Sequence, residues 1–153
     1  MSSSPPFDLA AAHHYFAAYC FNAAWDLIEK PSRTADEDRA MVELAQASIF
    51  HWRARANCTD KNLSIGYWQA SRVHALTGNA REALRLAEIS LAYSPGSPPY
   101  FVAYAHEAMA RTLKLLGRND EAAAHVAAAR ALVPQVKTQQ DRDRLTADLD
   151  QLD

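Results

Sequence analysis

The stretch from Leu76 to Pro95, LTGNAREALRLAEISLAYSP, returns thirty-nine residues later as LLGRNDEAAAHVAAARALVP, from Leu115 to Pro134. Six of the twenty positions are identical: a leucine, a glycine, a glutamate, two alanines and a proline. A segment repeated in register restricts the folds open to a chain. Each copy is one supersecondary unit whose apolar face only a neighbouring copy covers.

The repeated residues fit helical hairpins. Gly78 and Gly117 stand where a tight turn needs a left-handed backbone. Ala83 and Ala122 are small and fall in the first turns of the following helix, where small residues let two helices approach. Ser90 and Ala129 repeat the device further along. Ser71 and Ala110 supply it on the partner helix. Pro95 and Pro134 end the units. No segment alternates apolar and polar with β-branched residues, so no strand is expected. The expected class is all-α, with about seven helices.

Start and stop signals place the helices. Residues 1–6 form a flexible tail. Helix one runs from about Phe7 to Glu29 and is closed by Pro31. Helix two follows Thr34, where Thr34-Ala35-Asp36-Glu37 reads as a capping box, and runs to about Ala56. Helix three spans about Asp60 to Gly78. Asn79 caps helix four, with Glu82 repeating the capping geometry, and Pro95 ends it. Ser97 caps helix five, with Pro98 in its first turn, and Gly117 ends it. Helix six runs from about Asn119 to Val133. Helix seven, from about Thr138 to Leu152, is charged, with Leu145, Leu149 and Leu152 as its one apolar stripe. Short connections make sequential helices antiparallel neighbours.

The two units, Tyr67 to Pro95 and His106 to Pro134, resemble tetratricopeptide repeats. Ser71, Gly78, Ala83, Ser90 and Pro95 match the family pattern in one unit; Ala110, Gly117, Ala122, Ala129 and Pro134 match in the other. The spacing departs from the family's period of about 34 residues, and His74 and Leu113 stand where the family favours tyrosine. The first hairpin carries only a loose version, in Ala40, Leu44 and Ala47. The resemblance implies a right-handed stack of antiparallel helical hairpins in one domain, residues 7–153. It would comprise a weak hairpin over 7–56, repeats over about 60–95 and 98–134, and a capping helix over about 138–152.

The resemblance also implies a function. The first helix of each pair would line a concave groove holding a peptide or protein segment. Trp68 and Arg72 would come from helix three, and Tyr104, Glu107, Arg111 and Lys114 from helix five. Arg72 and Arg111 occupy equivalent positions, and two guanidinium groups hold carboxylates or phosphates through paired hydrogen bonds. Trp68 and Tyr104 would anchor apolar groups beside them. The bland reading keeps these as helix-surface charges, with Glu107 pairing to Arg111 at i,i+4.

Composition narrows the alternatives. Sixteen basic and eighteen acidic residues give a net charge of −2, without the basic excess that nucleic acid calls for. Cys20 and Cys58 have no metal-ligand spacing, and two cysteines fit a reducing cytoplasm. The amino-terminal MSSSPPF has no basic residue, so no secretory signal is expected, and no apolar run reaches membrane-spanning length. No phosphate loop, nucleophile elbow or paired-carboxylate signature occurs, so no catalytic residue and no cofactor is assigned. None of the six histidines forms HxxxH or HExxH. A metal or ligand site built from different helices, such as His14 with His51, stays open, as does a small-ligand pocket or enzyme site lined by Trp25, Trp52 and Trp68.

Helix one stands apart. No residue between Asp8 and Asp26 is charged, and Tyr15, Tyr19, Phe21 and Trp25 make it apolar on most sides. Either the chain folds over it, or a second copy covers it in a homodimer.

Overall fold

The computed structural model describes residues 4–153, so the first half of the expected tail lies outside the described residues, while Ser4, Pro5 and Pro6 are non-helical. Seven α-helices follow: α1 (Leu9–Ile28), α2 (Ala35–Arg53), α3 (Asp60–Leu76), α4 (Ala80–Tyr93), α5 (Pro99–Leu115), α6 (Asn119–Leu132) and α7 (Gln139–Asp150), with a 3-10 turn at Val133–Gln135. There is no strand among the described residues. Helices pack in sequential pairs, α1 on α2, α3 on α4 and α5 on α6. This is the expected all-α architecture of helical hairpins. No helix among the described residues is long and apolar enough to cross a membrane.

The chain divides into two compact units, Met1–Thr59 and Asp60–Asp153. In the first, α1 and α2 form a hairpin around Ala17, Cys20, Ala24, Met41, Ala45 and Ile49. Asp8 caps α1 by accepting from the Ala11 amide at 3.0 Å. The Thr34 box forms in full: the Thr34 hydroxyl accepts from the Glu37 amide, and the Glu37 carboxylate accepts from the Thr34 amide. Buried Ser48 donates from its hydroxyl to the Ala17 carbonyl at 2.8 Å, tying the two helices.

In the second unit the α3–α4 and α5–α6 pairs stack through α4 and α3 on α5, and α7 packs on α5 and α6. The six small residues of the repeat, Ser71, Ala83, Ser90, Ala110, Ala122 and Ala129, are all buried. Where serine replaces alanine it adds a bond across the hairpin. Ser71 donates to the Ala83 carbonyl at 2.8 Å, and Ser64 and Ser90 each donate to the other's carbonyl, at 2.9 and 2.8 Å. His74 and Leu113, at equivalent positions, are both buried.

Two boundary signals resolve differently from the sequence reading. Pro98, not Ser97, is the N-cap of α5, and it has no side-chain bond; Pro99 fills the first helical position, where a missing amide leaves no partner unmet. Asn79 does cap α4, accepting from the Glu82 amide at 3.3 Å, but the Glu82 carboxylate turns to Arg85 rather than back to the cap. A guanidinium within reach outcompetes a single backbone amide for a carboxylate.

The two glycine turns are built alike. Gly78 has φ +82° and Gly117 has φ +73°. In the first, the Asn79 amide reaches back to the His74 carbonyl and the Gly78 amide to that of Ala75; in the second, Arg118 reaches Leu113 and Gly117 reaches Lys114. Both are Schellman endings, which satisfy the last helical carbonyls by a left-handed residue. An added Cβ would meet nothing within 4 Å at either glycine, so a substitution costs only backbone strain. Gly78→Ala and Gly117→Ala should each lower unfolding free energy by about 1 kcal/mol. Asparagine, which tolerates this conformation better, should cost less. Urea denaturation of the four variants checks the order.

Candidate functional site

Trp68 and Arg72 lie four residues apart on α3, and so fall on one helix face. Glu107 and Arg111 stand in the same relation on α5, exactly one repeat later by the thirty-nine-residue spacing. Packing of α3 against α5 brings the two pairs together. The Trp68 indole Nε1 donates to Glu107 Oε2 at 3.1 Å, and Arg111 donates from its guanidinium to Glu107 Oε1. The Glu107 side chain is 1% exposed and that of Arg111 is 19% exposed. The i,i+4 pairing read as the bland alternative therefore forms, and one carboxylate serves two helices.

Among the described residues the Arg72 Nε is buried without a hydrogen-bond partner, and the Arg111 Nε is also buried and unpartnered. Burial, and then the Arg111 charge beside it, hold the Arg72 guanidinium below its ordinary pKa, opposed by the charges of Glu107 and Asp148. Arginine still keeps its charge there, because its reference pKa is so high. The unit thus contains a partly buried cation whose electrostatic partners lie nearby.

The other two proposed groove residues are already engaged. Tyr104 is buried in a core cluster with Ala103, Ala129, Val136, Leu145 and Leu149, and its ring meets Trp68 edge-on at 5.4 Å. Its hydroxyl donates to Asp148 Oδ2 on α7 at 2.6 Å; burial first, then this bond, push the phenol pKa upward. Lys114 is exposed, and its Nζ donates to the Leu152 and Asp153 carbonyls at 2.8 and 2.9 Å. Asp148 escaped the sequence reading. Its signal was its place between Leu145 and Leu149, at the margin of the apolar stripe that docks α7.

On α1, Tyr15 and Tyr19 are 60% and 51% exposed and stack at 5.6 Å with Phe16 edge-on to both, while Phe21 and Trp25 are half-buried. The four residues offered as an oligomer interface therefore do not share one degree of exposure. The histidine juxtaposition is His13 with His51, whose Nδ1 atoms lie 2.8 Å apart; His14 is exposed. Among the described residues, no group of three or more His, Cys, Asp or Glu is placed to hold a metal. Cys20 is buried, and that burial pushes its thiol pKa upward. Trp52 carries the Arg55 guanidinium over its ring at 4.1 Å.

No protein-family model matches the chain, and neither a curated protein nor a solved structure matches it.

Glu107 is the anionic centre of this site, and neutralising it leaves two enclosed guanidinium groups without their nearest counter-charge. Glu107→Gln should lower stability by about 3 kcal/mol, the lower end for breaking a buried pair, because Arg111 keeps some solvent. Urea unfolding at neutral pH measures it, and an unchanged midpoint would contradict the role given to the carboxylate.

Proposed function

We propose that the Asp60–Asp153 unit is a tetratricopeptide-repeat-like interaction module that binds a protein segment carrying acidic groups. The observation that carries this reading is Arg72: a partly buried guanidinium, next to that of Arg111, whose buried Nε has no hydrogen-bond partner among the described residues. A guanidinium offers five donors in a planar fork, and enclosing one without partners is unfavourable unless an anion completes it. A ligand carboxylate or phosphate on Arg72 would gain charge-assisted hydrogen bonds in surroundings drier than bulk water.

The remaining residues take graded roles in this reading. Arg111 holds Glu107 and adds positive potential at the same place. Trp68, fixed by its bond to Glu107, presents its half-buried ring as the apolar anchor. Tyr104 supports Trp68 from the core. Lys114 lies at the end of the row and would reach a ligand by exchanging its carbonyl partners. The right-handed superhelix of the family and a cytoplasmic setting belong to the same reading. In this reading the module works by binding.

A second reading concerns the first unit. The exposed stack of Tyr15, Phe16 and Tyr19 favours a homodimer through α1, with aromatic area as the driving term. Sedimentation velocity at tens of micromolar separates the two cases: a dimer supports it, and a monomer alone removes it.

An array of peptides rich in Asp and Glu, with and without a free carboxyl terminus, tests the main reading. Arg72→Ala should weaken the tightest peptide at least tenfold, since a charge-assisted hydrogen bond is worth about 1.5–3 kcal/mol. Thermal stability should hardly fall, because the buried Arg72 Nε has no hydrogen-bond partner to lose among the described residues. Equal binding by both proteins would remove the proposal.

A further inference from the structure

Two histidine pairs sit across helical hairpins, one in each unit. In the first, His13 of α1 faces His51 of α2 with Nδ1 atoms 2.8 Å apart. In the second, His106 of α5 faces His125 of α6 at 2.9 Å. Both pairs are partly buried. These are hydrogen-bond distances, and a bond between two ring nitrogens needs one proton between them. One ring must carry hydrogen on Nδ1 and donate. The other must keep Nδ1 bare and carry its hydrogen on Nε2.

We propose that these pairs are proton-sharing latches, which close the α1–α2 and α5–α6 hairpins at neutral pH and open them on acidification. The proton balance is specific. A first added proton goes to the free Nε2 of the donor ring, and the Nδ1–H···Nδ1 bond survives with a charged donor. A second must go to the acceptor's Nδ1. It removes the lone pair that held the bond and sets two imidazolium rings against each other. Sites coupled so closely titrate as a pair, in two steps.

The surroundings reinforce the second step. His51 lies among the rings of Phe16 and Phe50 and His13, and burial, then the His13 charge, lower its pKa. Only α1 and α2 pack there, and no carboxylate acts on His51. Burial, then the His125 charge, lower His106; burial lowers His125, opposed by Glu121 one turn away. Both carboxylate oxygens of Glu121 are engaged by Arg118. No charged group on α3, α4 or α7, which also pack on α5, acts on either ring. The sign follows. The unfolded chain takes up protons near pH 6.5, the ordinary histidine value, whereas folded His51, His106 and His125 resist until lower pH. The latches therefore contribute stability above about pH 6.5 and lose it as pH falls through the depressed folded values.

Nitrogen-15 NMR of the histidine rings in the full chain tests this. At pH 7.5 one ring of each pair should show the Nδ1–H tautomer. On acidification each pair should titrate in two steps, the second below the ordinary histidine range and accompanied by loss of amide protection in its hairpin. His51→Asn and His125→Asn should make the remaining partner titrate singly. Only Nε2–H tautomers at pH 7.5, or two independent titrations at the ordinary value, would overturn the proposal. The tautomer measurement on the wild type decides even where a variant does not fold.

Discussion

The buried carboxylate of Glu107 is the interaction on which the second unit turns. It accepts from Trp68 on α3 and from Arg111 on its own helix, and its charge offsets that of Arg72. A carboxylate taken out of water is tolerable only when such partners surround it. Its presence therefore fixes which face of α3 meets which face of α5. Trp68 and Glu107 are equivalent positions of the duplicated unit, so the repeat places an indole donor and a carboxylate acceptor opposite each other as a consequence of its own spacing. Asp148 extends the same logic to α7 through Tyr104.

Small residues make this arrangement possible. Alanine and serine at the crossing points bring the hairpin helices close, and close helices leave long polar side chains such as Glu107 and Arg111 little solvent. The serines satisfy their hydroxyls on the facing helix. The glycine turns then reverse the chain within two residues. The two hairpins of this unit are thus the same physical device, once with serine and once with alanine.

Much of this was legible in the sequence because it rests on local rules. The Thr34 box, the glycines at positive φ and the burial of the six small residues all follow from residue type and register. Long-range pairings were harder. Arg72 and Arg111 were legible as equivalent positions, but the bonding that distinguishes them depends on where Glu107 settles, and a period alone does not say. Asp148 was hidden in a helix whose charges looked like a solvated face. The histidine pairs were hidden for a similar reason: their members are separated by thirty-eight and nineteen residues, so no spacing within one helix reveals them.

The proposed function rests on an acidic group of a ligand pairing with the Arg72 guanidinium. Arginine Nε–H NMR during titration with a short acidic peptide measures this directly. The Arg72 resonance should shift and slow its exchange with water at saturating peptide, with a smaller change at Arg111. An Arg72 signal that stays unchanged while the peptide binds would show that recognition lies elsewhere, and would contradict the account.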